Sequence, residues 1–352
     1  MRALPLRLLA VLALAGMLAG CGKGGASTNG ASASASGPPP AKQGVLSVAT
    51  KNTTRLGGAD PASDAAAVAR AVYPGLTAAT RPQAVVLVNQ RNWPASIAAA
   101  SLASAPLGAP LLYADGNQLP EVTAQALKAM HPLGAAALGG AQVIRIGTAA
   151  AVPDGYRTQS VSTGSDPAIA AAAVERLLIA AGGGSPRQVI LLSVGAPRAL
   201  QMPAAGLSAE SGAPILFIDA AAIPAATDVV LKALHRPAIY ILGARAIGRR
   251  AQARLARLGR VSRVVGVAAE AAAGVAEEST TAGEGTGAGT EPSPGAGEVA
   301  ANGGERRDPV ENSISVARYG DGPFGWAIHE AGHGLVFASS ERPLDAPAAA
   351  PL

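Results

Sequence analysis

The sequence predicts an α/β protein made of tandem Rossmann-like units, each with a short parallel sheet. Two observations predict it. A long stretch recurs at one fixed register: QAVVLVNQRNWPASIAAASLASAPLGAPLLYAD from Gln83 aligns without a gap on RQVILLSVGAPRALQMPAAGLSAESGAPILFID from Arg187. Within each copy, short continuous apolar runs alternate with alanine-rich periodic stretches. That is the pattern of strands covered on both faces by crossover helices.

The repeated elements follow in order. Asp60-Pro61 and Asp166-Pro167 stand ahead of alanine-rich stretches carrying Arg70 and Arg176. Each reads as an N-cap followed by the residue most welcome at the first helical position. Val85 to Val88 and Val189 to Leu192 read as buried strands, followed by alanine-rich helices. Leu111 to Tyr113 and Ile215 to Ile218 are the next strands, and the helices after them end near His131 and His235. Val143 to Ile146 and Ile239 to Leu242 close the two units as strands. A third copy opens at Asp308-Pro309 with Arg318 at the same spacing, and Leu335-Val336-Phe337 takes the register of Val85-Val86-Leu87. Its last residue, Leu352, aligns with Leu102, so the third unit is expected to be incomplete, a truncated reading frame or a poorly ordered end.

The flanking segments are of another kind. Arg2 and Arg7 precede an apolar run from Leu8 to Leu18 that is too short to span a bilayer comfortably. It ends in Leu18-Ala19-Gly20-Cys21, which holds the only cysteine of the chain and resembles a bacterial lipobox. That resemblance implies cleavage before Cys21 and acylation of its sulfur, worth about 0.8 kcal/mol per buried methylene. The signal peptide is then 1–20 and a flexible Gly/Ala/Ser/Pro tether is 21–44, with repeat unit 1 at 45–150 and repeat unit 2 at 151–266. A Gly/Glu-rich disordered insertion fills 267–307, and the partial unit 3 is 308–352.

The repeats resemble the cell-wall-binding repeat found in tandem threes in bacterial surface-layer and wall-associated proteins. The family unit has Asp-Arg-Tyr-x-Thr-Ala before its first helix, an apolar strand leading to Asp-Ala-Leu-Ala, an Ala-Pro-Leu-Leu strand, a Pro-x-x-Thr helix and a last strand closing on glycine. Asp60 with Ala65, Asp166 with Ala171, Ala109 to Leu112, Ala213 to Leu216, Pro120 with Thr123, Pro224 with Thr227, Gly147 and Gly243 stand in those places. Asp345-Ala346 supplies the second motif in copy three. The Arg-Tyr pair is replaced by Pro61-Ala62 and Pro167-Ala168, the motif threonine by Asp64 and Ala170, and the second aspartate by Ala95 and Ala199. The resemblance implies three units packed around a pseudo-threefold axis, in a non-catalytic, wall-facing module.

Composition narrows the function. A net charge of +5 is too mild an excess to imply a nucleic-acid partner. Aromatic residues make up 3% of the chain, so a bound wall polymer would be held by charge and hydrogen bonds more than by ring stacking. Arg245, Arg249, Arg250, Arg254 and Arg257, with Arg260 and Arg263 beyond, form the densest charge cluster. At helical spacing Arg250, Arg254 and Arg257 share one face, and Ile247, Ala251, Leu255 and Leu258 share another. That is either an ordinary solvated face or one suited to an anionic polymer, whose phosphates or carboxylates match the guanidinium fork.

His329-Glu330-Ala331-Gly332-His333 matches the HExxH pattern of zinc peptidases. Ser339 stands where a third histidine would, glycines and Pro323 crowd the approach, and the strand register at Leu335 forbids a helix through the motif. It is read as a strand-entry loop without metal, and no cofactor is expected. His131 and His235 are read as partners of helix-terminal carbonyls, and Trp93 and Trp326 as buried anchors. No glycine-rich phosphate loop or serine nucleophile elbow is present.

The expected protein is a non-catalytic wall-binding or envelope-scaffolding lipoprotein on the extracytoplasmic face of a membrane. Its expected partners are an anionic wall polymer and, through the lipid, the membrane. A solute-binding lipoprotein is an alternative against which the fixed-register repeats argue. A zinc metallopeptidase would rest on His329 and His333 alone.

Overall fold

A computed structural model describes residues 46–49, 53–243, 247–264, 308–330 and 334–352, all within the unit Gln43–Leu352. Two short antiparallel strands, β1 (Leu46–Ala49) and β2 (Thr54–Gly57), lead to the first helix, α1 (Pro61–Val72). Asp60 caps it: its carboxylate accepts from the Ser63 amide at 3.0 Å, and Pro61 opens the first turn. Ala62, Ala65, Ala66 and Ala69 recur at helical spacing and are buried, because small side chains let α1 lie close on the elements beneath it.

The first sheet contains β3 (Val85–Asn89), β4 (Leu111–Ala114), β5 (Val143–Ile146) and β6 (Thr158–Val161). Its order is β4-β3-β5-β6 and every pairing is parallel. The crossovers are α2 (Trp93–Ala99) and α3 (Glu121–Met130). The second unit repeats this with α4 (Pro167–Leu178), β7 (Gln188–Ser193), α5 (Arg198–Gln201), α6 (Pro203–Ser211), β8 (Ile215–Ile218), α7 (Ala225–Ala233) and β9 (Ala238–Leu242). After α8 (Arg249–Leu258), β10 (Arg260–Val264) completes a parallel sheet of order β10-β9-β7-β8. The central strands carry the apolar runs that mark them in the sequence, and Val86, Val88, Ile190 and Leu192 are fully buried.

Repeated identities turn out to have repeated jobs. The Asp166 carboxylate accepts from the amides of Ala168 and Ile169, and that of Asp308 from Val310. The Thr123 hydroxyl donates to the Tyr113 carbonyl at 2.8 Å, and the Thr227 hydroxyl donates to the Phe217 carbonyl at 2.6 Å. In each unit the threonine of Pro-x-x-Thr thus ties a crossover helix to the strand before it. Gly147 and Gly243 have φ of 62° and 58°. A side chain there would also strike Thr163 Oγ1 and the Leu200 carbonyl, so glycine is required twice over.

The third unit differs from the sequence expectation. It holds α9 (Pro309–Arg318), a hairpin of β11 (Gly320–Asp321) and β12 (Phe324–Gly325), and α10 (Asp345–Ala349). Leu335-Val336-Phe337 forms no strand, and Phe337 is 88% exposed. The strand register therefore does not carry over. β3 and β7 each lie between two parallel neighbours, and among the described residues no strand is offered to Leu335–Phe337. An apolar run without a ladder to join has no reason to extend.

The three units nevertheless close a cycle. The second helix of unit 1, α2, packs on α4, the first helix of unit 2. Helix α5 packs on α9, and α10 packs on α1. Helices α2, α6 and α10 also meet one another, which gives the pseudo-threefold arrangement. Each joint has a polar tie. Trp93 Nε1 donates to Gln201 Oε1 at 2.8 Å, Asn312 Nδ2 donates to the Leu200 carbonyl at 3.0 Å, and Arg342 pairs with Asp64.

Candidate binding surfaces

Helix α8 is amphipathic as its period predicts. Ile247, Ala251 and Leu255 are buried and Leu258 is half-buried, whereas Arg249, Arg250, Arg254 and Arg257 are exposed. The arginines are not equivalent. Arg254 pairs with Asp228 of α7 at 2.7 Å, and Asp228 also takes Lys232 at 2.7 Å. Burial pushes the Asp228 carboxyl up, but the hydrogen bonds of Lys232 and Arg254 outweigh it and hold the group below its usual range. Arg254 therefore fastens α8 to α7. Arg249, Arg250 and Arg257 have no ion pair or hydrogen bond among the described residues, and Arg245 lies outside them. Arg260 is engaged with Asp321 at 2.8 Å, next to the Tyr240 hydroxyl.

Of the HExxH residues, His329 and Glu330 lie in exposed chain that is not helical, and His333 lies outside the described residues. His131 and His235 take left-handed backbone at the ends of their helices, with φ of 46° and 53°. That is the conformation in which chains usually leave a helix, most often with glycine in place. The His131 carbonyl accepts from Arg81 Nε. Trp93 is buried between units 1 and 2 with the Arg198 guanidinium 5.9 Å from its ring. Trp326 is half-buried on Gly206 and donates to Glu210.

One feature had no signal in the sequence. A groove of about 690 Å³ opens in unit 1 between α3 and the segment Pro153–Tyr156. Arg81, Lys128, His131, Asp154 and Tyr156 are among the residues that line it. The lysine and histidine recur in unit 2, but the groove depends on how residues 147–157 cross from β5 to β6. No local pattern encodes that crossing. Cys21, the tether 21–44 and the insertion 267–307 lie outside the described residues, and no described helix is long and apolar enough to cross a membrane.

Residues 55–157 match the family model described as cell wall binding domain 2. Cwp6 from Clostridium difficile superimposes with a TM-score of 0.50 at 17% identity, over 64% of this chain and 37% of that one. Cwp8 from the same organism gives a TM-score of 0.48 at 19% identity, over 60% of this chain and 35% of that one. The chain thus spans little more than a third of the length of either solved structure. No curated protein matches the sequence. The repeat motifs, the parallel sheets and the matched segment agree in making residues 55–157 similar to a unit of the cell wall binding domain 2 family.

Proposed function

We propose that the protein is a non-catalytic, wall-binding or wall-scaffolding lipoprotein, held to a membrane through Cys21 and gripping an anionic wall polymer. The family match supports the wall as target. The observation that carries the electrostatic part is the set of Arg249, Arg250 and Arg257, exposed on α8 without an internal partner among the described residues. Guanidinium groups held on a packed helix and free of carboxylates present forks suited to phosphate or carboxylate oxygens. Arg254 serves by anchoring that helix.

The test is retention of the full chain on purified wall across a salt series. Screening shortens to about 8 Å at physiological ionic strength and about 3 Å at 1 M, so retention should fall as salt rises. Changing Arg249, Arg250 and Arg257 together to Gln should weaken retention about tenfold or more at low salt and leave folding intact. Retention indifferent to both salt and the triple change would sink the electrostatic reading. The anchor is tested separately: Cys21→Ala should leave the chain unprocessed or release it from membranes.

A further inference from the structure

The two complete units treat one lysine differently. In unit 2, Lys232 and Arg254 both pair with Asp228. The repeat register puts Lys128 where Lys232 stands, and Ala124 where Asp228 stands. Unit 1 keeps the cation and lacks the carboxylate. It also lacks the helix, because residues 147–157 run between β5 and β6 without one, whereas α8 lies between β9 and β10. The groove beside α3 is thus the counterpart of space that α8 fills in unit 2.

Its lining is suited to a charged, hydroxylated guest. Lys128 is exposed, with no ion pair or hydrogen bond among the described residues. Arg81, whose register partner in unit 2 is Ser185, adds a second cation, oriented by the hydrogen bond from its Nε to the His131 carbonyl. Asp154 and Glu121 offer acceptors for hydroxyl groups, and Tyr156 a half-buried ring. Gln142 is engaged within the fold, donating to Pro132 and accepting from the Arg157 amide. At about 690 Å³ the groove lies within the range of roughly 300–1,000 Å³ common for small-molecule sites.

We infer that this groove binds an acidic sugar, whose carboxylate or phosphate takes at Lys128 and Arg81 the part that the Asp228 carboxylate plays in unit 2. That the sugar belongs to a wall polymer rests on the wall-binding reading above; the groove chemistry does not. Unit 2 has α8 in the corresponding place, so each chain takes one such sugar through these two units.

The full chain is titrated by calorimetry with digalacturonate, glucose monophosphate and neutral maltose. At least one acidic probe is expected to bind once per chain, and maltose about tenfold or more weaker. Digalacturonate binding identifies a carboxylate ligand, and glucose monophosphate binding a phosphate. Ala124→Asp places the unit 2 carboxylate within reach of Lys128, and Lys128→Gln removes the cation. Each should weaken the acidic probe about tenfold or more, the scale of one hydrogen bond to a charged group. Changing Arg249, Arg250 and Arg257 to Gln should leave probe binding as it was. If the probe binds and is lost with both groove variants while wall retention fails, the wall reading falls and the groove stands. Failure of both acidic probes to bind, equal binding of maltose, or indifference to Ala124→Asp with Lys128→Gln overturns the inference, whatever the wall does.

Discussion

Buried polar side chains at single positions decide more here than the apolar ones, because alanine and valine recur everywhere and the polar groups do not. Thr123 and Thr227 are fully buried, and each satisfies a strand carbonyl. Thr123→Val keeps the shape and removes the donor, so it should destabilise the fold by about 1 kcal/mol, with Thr123→Ser milder in urea unfolding. Glu175 on α4 makes the opposite case. Burial pushes its carboxyl above the usual value, against a lowering effect of Arg176. A raised folded value means that the ionised group opposes folding at neutral pH, and that this penalty fades as pH falls towards the unfolded value of about 4.3. Glu175→Gln should therefore raise the melting temperature at pH 7 by about 2 °C and make no difference well below pH 4. An equal gain at both pH values would exclude ionisation as the cause. The Asp-Pro caps were legible because capping is local. The threonine ties showed only as a repeated letter, since their acceptors lie on another element.

Elements were legible wherever their partners recur with them. Both complete units form the strands expected at Val85, Leu111 and Val143 and at their twins, and the period of α8 separates its buried face from its basic face. Leu335–Phe337 shows the limit. Its letters match a core strand, but strand formation depends on neighbours elsewhere in the chain. The glycines from Gly320 to Gly325, read as obstacles to a helix, instead build the hairpin, where Gly322 in the turn and Gly325 in β12 take φ of 62° and 95°. That hairpin seats Phe324, fully buried, flat against Tyr240 at 3.7 Å between ring centres, with Tyr319 edge-on to both. The Tyr240 hydroxyl is pushed up to about 12 by burial and by its hydrogen bond to Asp321. Phe324→Ala should therefore destabilise the chain by about 3 kcal/mol and loosen the hairpin's amide protection with it. A loss under about 1 kcal/mol would mean the ring stack is incidental to holding unit 3 on unit 2.

The molecule as a whole depends on closing its cycle, and the closing joint holds its ion pair deeper than the joint between units 2 and 3 does. Trp93 with Gln201 joins units 1 and 2 by a neutral hydrogen bond, and unit 3 meets unit 2 through Asn312 with Leu200 and through the more exposed ion pair of Asp321 with Arg260. Unit 3 meets unit 1 through charge. Asp64, at the register position that is Ala170 in unit 2 and Asn312 in unit 3, is buried on α1 and accepts from the Gly58 amide while pairing with Arg342. Arg342 also reaches Asp345 at 3.4 Å, and burial leaves that carboxyl above its usual range despite the arginine. Beside them the Tyr113 hydroxyl donates to the Leu344 carbonyl at 2.7 Å. None of this was readable from the repeat, since the family's motif threonine is simply absent at Asp64 and its replacement makes sense only once α10 lies against α1. The joint can be resolved by a double-mutant cycle. Arg342→Met removes the partner and leaves the Asp64 carboxylate buried, which should lower stability by about 1–3 kcal/mol in chemical denaturation. Asp64→Leu alone leaves a half-exposed guanidinium that water can still serve, and should cost less. Joined in one chain, the two apolar side chains face each other, and most of the loss should be recovered, because a buried pair replaced whole is far cheaper than one broken. Losses that add without recovery would show that the two residues act independently and that the ring is held shut by α10 packing alone.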